Sequence, residues 1–100
     1  MGAETEGERM RMILYKAIDV WRRISEKELV RYRCFKDLAT SQYSVQSADF
    51  YRLPLDLTQV TNLEKQCFEL LAEQDPAERA GWFTTLEEAI AHHDREFRSC

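Results

Sequence analysis

The stretch from Glu28 to Tyr51, ELVRYRCFKDLATSQYSVQSADFY, constrains the fold of this chain more than any other. Val30, Tyr32 and Cys34 alternate with Arg31 and Arg33. After a polar break, Tyr43 and Val45 alternate with Gln42, Ser44 and Gln46. A period of two sends successive side chains to opposite faces of a pleated ribbon. Two such runs about a short break therefore specify a β-hairpin with one apolar and one polar face. The polar face is rich in arginine and amide groups, which makes it the first candidate for a binding surface. The break, Lys36 to Ser41, lacks the Asn-Gly or Asp-Gly of a two-residue turn, so a loop of about four to six residues is expected.

A lone two-stranded hairpin is marginal in water, whereas three strands with an apolar face can be stable. Met10 to Ile24 supplies the candidate. Met10, Ile13, Leu14, Ala17, Ile18, Trp21 and Ile24 follow helical spacing, but Ile18, Val20 and Ile24 also fit a strand, with Asp19, Trp21 and Arg23 on its other side. Ser25-Glu26-Lys27-Glu28 is a polar break able to turn a hairpin. The need for a third strand favours a strand over about Lys16–Ile24. The alternative is a basic amphipathic helix that could lie on an anionic membrane or in a partner's groove. The second strand is expected over about Glu28–Phe35 and the third over about Gln42–Ala48. Pro54 lies in the connection that follows, where Phe50, Tyr51, Leu53, Leu55 and Leu57 are expected to pack against the core.

Two helices come next. Thr61-Asn62-Leu63-Glu64 fits a capping box, with Leu63, Cys67, Leu70 and Leu71 as its buried stripe, and Asp75-Pro76 stops the helix. Thr84-Thr85-Leu86-Glu87 fits a second box, followed by a stripe of Leu86, Ala89, Ile90, His93 and Phe97. The expected fold is α+β: an antiparallel β-meander of two or three strands followed by two α-helices packed on one sheet face. Residues 1–9 read as a disordered acidic tail and residues 10–100 as a single α+β domain.

The start, MGAETEGERM, has neither the basic end nor the apolar core of a secretory signal. No apolar run approaches the roughly 20 residues that span a bilayer. Cys34, Cys67 and Cys100 are widely spaced and odd in number, which suits reduced thiols in a cytoplasm better than a disulfide framework. The net charge of −4 is unevenly placed. Residues 9–52 hold ten basic against five acidic residues, and residues 53–100 hold four against ten. The blander account is internal complementarity, with acidic helices lying near a basic sheet; the functional one is a partner-facing basic surface.

No catalytic motif stands out. With glycine only at positions 2, 7 and 81, the phosphate-cradling loops are excluded, and GxSxG and HExxH are absent. Glu88, His92 and Glu96 share a helical face that could hold a divalent ion, but such spacing is commonplace on solvated faces. Cys34 and Cys67 fall at apolar positions, where thiols are inert. The expectation is a protein without enzymatic activity, metal or cofactor.

The binding candidates are Trp21, Arg23, Arg31, Arg33, Gln42 and Gln46, which would share the polar sheet face with Ser44. Trp and Arg dominate protein–protein contacts, so the expected partner is another protein, as for an adaptor, inhibitor or immunity-type protein. Aromatics and guanidinium groups on a sheet also suit single-stranded RNA, the alternative partner, although a pI near 5.2 opposes it. An open edge strand would permit a homodimer.

Overall fold

The computed structural model describes residues 13–79 and 81–98. The expected tail over residues 1–9 lies outside them, as do Cys100 and the Phe97 side chain. Three antiparallel strands form one open sheet in sequence order: β1, Tyr15–Arg23; β2, Glu28–Asp37; β3, Gln42–Arg52. The segment with two periodicities is a strand. Ile18 stands opposite Cys34 and Val20 opposite Tyr32, so β1 widens the apolar face of β2. Ile24 and Ser25 donate to the Glu28 carbonyl at 2.9 and 3.2 Å and close the first turn. In the second turn the Asp37 carboxylate accepts from the Ala39 N–H at 2.8 Å, and Ser41 takes φ 61°.

β3 runs past Ala48, where the expected strand ended. Cys34 faces Val45 and Arg33 faces Ser47, so Gln46 is an extra residue at a bulge. A bulge resets the alternation, so Ala48 and Phe50 rejoin the Val45 face while Ser47, Asp49 and Tyr51 join the arginine face.

Among the described residues three helices follow: α1, Leu57–Glu73; the single turn α2, Pro76–Arg79; and α3, Leu86–Arg98. α1 starts ahead of the expected capping box. Asp56 is its N-cap, accepting from the N–H groups of Thr58 and Gln59 at 2.9 and 3.4 Å, and Thr61 lies inside the helix. A carboxylate beside orphan amides caps as well as threonine does, so the upstream site is used. α3 is capped one residue later than expected: the Thr85 hydroxyl accepts from the Glu88 N–H at 3.1 Å.

The arrangement is α+β as expected, but the two long helices do not share a face. α3 covers the apolar face. Val30, Tyr32, Cys34, Val45 and Ala89 are buried there, with Ile18, Val20, Tyr43, Phe83, Leu86 and Ile90 packed around them. The Tyr32 hydroxyl donates to Asp94 at 2.8 Å, which fixes the helix over the sheet centre. α1 lies on the opposite face, where its Glu64 meets Arg31 and Arg33. The physical reason is charge: the guanidinium-bearing face pairs with Glu64 of a net-acidic helix, a weaker attraction than apolar burial. The docking is looser, since no residue of α1 is buried, whereas Ala89 of α3 is 1% exposed. The expected stripe of Leu63, Cys67 and Leu70 is only half-buried, and Leu71 is exposed. Of the connection expected to pack inward, only Tyr51 does; Phe50, Leu53, Leu55 and Leu57 are exposed. No helix among the described residues is long and apolar enough to cross a membrane.

Candidate functional site

β2 places Arg31 and Arg33 two residues apart, hence on one face. Solvent-facing in the sequence reading, both are covered in the structure, their side chains 11% exposed. Arg31 Nη2 donates to Glu64 Oε2 at 3.1 Å and to the Tyr51 hydroxyl at 2.8 Å. Its guanidinium carbon sits 5.2 Å from the Trp21 ring centre and 5.6 Å from that of Tyr51, within cation–π range. Arg33 Nε donates to Asp49 Oδ2, and its Nη1 lies 3.5 Å from Glu64 Oε1. Asp19 stands 3.8 Å from Arg31. Asp49 is directly opposite Arg31 across the ladder, and Asp19 is opposite Arg33.

Two guanidinium groups thus meet three carboxylates: Glu64 comes from the acidic half, as in the internal account of the charge asymmetry, while Asp19 and Asp49 come from the sheet itself. Burial alone would lower the Arg33 pKa, but the hydrogen bond and charge of Asp49 outweigh it and the net shift is upward. The hydrogen bond from Arg31 holds the Glu64 carboxyl below the usual carboxylate range against an opposing desolvation, with the charges of both arginines assisting. Arg31 Nε and Arg33 Nη2 are buried without a hydrogen-bond partner. The cluster is strongly tied but not saturated.

Between α1 and this face lies a cavity of about 240 Å³. Ala17, Phe35, Phe68 and Leu70 give it an apolar wall, and the arginines lie to one side. The carboxylates of Asp19, Asp49 and Glu64 offset the arginine charge on that side.

The six candidate residues do not form one surface. Trp21, 53% exposed, and Arg23 stay in solvent together at the end of the sheet where β1 turns into β2. A smaller hollow of about 120 Å³ beneath Trp21 is lined by Leu29, Tyr51, Leu55 and Val60. Gln42 is half-buried at the other end of the sheet, opposite Asp37. Gln46 occupies the bulge and donates to Ser44 Oγ at 2.9 Å and to the Pro76 carbonyl at 3.5 Å. Sequence reasoning missed Asp19, Asp49 and Glu64. The first two were within reach, since opposite charges on the same face of paired strands attract directly.

The remaining titratable groups do not gather into a centre. Burial, then the charge of Asp19, pushes the Cys34 thiol up to about 12, so it stays protonated at neutral pH. Burial lowers the His93 pKa, with Asp94 opposing and His92 adding to the shift. His92 Nε2 is 4.0 Å from Glu96. Among the described residues no three His, Cys, Asp or Glu side chains come together in a way that could hold a metal ion. No family model, no curated protein and no solved structure matches this chain.

Proposed function

We infer that this protein is a non-enzymatic protein–protein interaction module, of adaptor, inhibitor or immunity type, working in a reducing compartment such as the cytoplasm. The observation that carries the reading is Trp21. It is a large aromatic left 53% exposed, beside the exposed Arg23 and above the hollow formed by Leu55, Val60 and Tyr51. Exposed Leu53 and Leu55 follow in the connection from β3 to α1, and exposed Leu57 opens α1. Trp and Arg anchors over an apolar depression have the composition of a protein contact centre. The single-stranded RNA reading loses its support, because Arg31 and Arg33 are matched by carboxylates and covered by α1.

Affinity purification from the native host tests the reading. The expected result is a stoichiometric protein partner that is retained by the parent chain and lost with Trp21→Ala. Recovery of no partner, or of the same partners by both chains, would overturn it.

A further inference from the structure

The two edges of the sheet are not equivalent. The outer edge of β3 carries the bulge at Gln46, and its start is occupied by Phe83, whose N–H and carbonyl exchange hydrogen bonds of 2.8 and 2.7 Å with Tyr43. Bulges and covering segments are the devices that close an edge to further pairing. β1 has neither. It is a nine-residue strand without proline, its ladder with β2 shows no register shift, and no described strand lies on its other side.

The hydrogen-bonding phase of that edge follows from its two ends. The Leu14 carbonyl accepts from the Leu38 N–H, and the Ile24 N–H donates to Glu28. Backbone groups alternate along an antiparallel strand, so even-numbered residues of β1 bond to β2. Those of Ala17, Asp19, Trp21 and Arg23 point outward, unpaired among the described residues.

We propose that β1 pairs antiparallel with β1 of a second copy of this chain, with Trp21 opposite Trp21 at the two-fold axis, to give a continuous six-stranded sheet. Charge selects this register. It sets Asp19 of each copy against Arg23 of the other. Centring the pair on Asp19 would oppose two carboxylates and set Lys16 against Arg22. Centring it on Val20 would set Ile18 against Arg22 and leave both Asp19 and Arg23 without an opposite charge. In the favoured register Ile18 covers the exposed Ile24 of the other copy. Asp19 has a half-exposed side chain 3.8 Å from Arg31, and Arg23 makes no ion pair among the described residues, so the cross-copy pair would add a second cation to Asp19 and a first anion to Arg23. Opposed Asp19–Arg23 pairs are favourable and like charges at the same places are not.

The pairing rests on reading the Trp21–Arg23 end as a contact surface, and it names the occupant of the β1 edge. It also merges the Trp21 patches of two copies into one broader surface.

Sedimentation equilibrium on the purified chain tests it, over micromolar to submillimolar concentrations. The expected result is a reversible monomer–dimer equilibrium, weakened by salt. Arg23→Asp should raise the dissociation constant about tenfold, by converting two attractive cross-strand pairs into repulsive ones. Asp19→Arg should do the same, and the double exchange Asp19→Arg with Arg23→Asp should restore dimerisation. Asp19 also faces Arg31, so a thermal melt accompanies that variant; Arg23→Asp disturbs no internal pair and decides the matter by itself. A chain that stays monomeric throughout, or a dimer indifferent to Arg23→Asp, would overturn the pairing. A monomer that still captured a protein through Trp21 would overturn the pairing alone. A register-dependent dimer that captured nothing would leave the pairing standing and sink the wider reading.

Discussion

Asp49 does more than any other side chain to make the arginine face tolerable inside the protein. It is 8% exposed, lies opposite Arg31 in the ladder and accepts the Nε–H of Arg33. Removing one partner of a buried ion pair leaves an uncompensated charge, so Asp49→Ala should cost roughly 3–5 kcal/mol in urea unfolding. Glu64 binds the same arginines but is 38% exposed, and water shares its work. Glu64→Gln should therefore cost only about 1 kcal/mol. Equal losses for the two variants would show that the cluster is solvated throughout. The sequence carried the alternation that put Arg31 and Arg33 on one face. It did not carry the helix that came down on them, because a pattern of charges fixes which face a side chain occupies and not what covers it. Cys34 gives a second check at this scale. Its burial and raised pKa predict that it reacts with a thiol reagent only when the chain unfolds, and rapid modification in the native protein would contradict that.

Among the elements, the sheet and α1 differ in how firmly they are held. The hairpin and the added strand were legible because period-two patterns have one geometric solution, and the boundary missed at Ala48 fell where the bulge at Gln46 breaks that period. α1 was legible as a helix but not in its placement: its moment is real, yet none of its residues is buried. Local opening free energies follow buried apolar contact. Amide hydrogen exchange should therefore be faster throughout α1 than at Val30, Tyr32 and Cys34 of β2. Leu70 is half-buried beside a cavity rather than in the core. Leu70→Ala should accordingly fall at or below the low end of the roughly 2–5 kcal/mol typical of buried leucine. A full core penalty at Leu70, or α1 amides as slow as those of β2, would mean that the helix packs more tightly than its exposure indicates.

Across the whole molecule, acid should act in two stages. Burial lowers the pKa of His93 in the folded state, so the unfolded chain takes up its proton first. Stability should start to fall as pH drops through about 6.5, the free histidine value. Glu64 likewise favours its deprotonated form in the folded state, although that form is charged rather than neutral, and the sense of the loss is the same. Its depressed pKa stabilises the fold above the ordinary glutamate range, and that contribution disappears as pH falls through the depressed value. Melting temperatures measured from neutral to acid pH should decline in both intervals, and His93→Gln should remove the first decline while leaving the second. A flat profile down to the carboxylate range in the parent chain would place His93 in solvent.

The unequal edges of the sheet also bear on how large an assembly can grow. With Phe83 fastened to the start of β3 and a bulge bending the rest, strand addition has, among the described residues, the β1 side to use. A two-fold union consumes that side in both copies at once. The proposed dimer would be self-limiting: no edge among the described residues would be left to template a third chain, and a sheet able to seed filaments would stop at two.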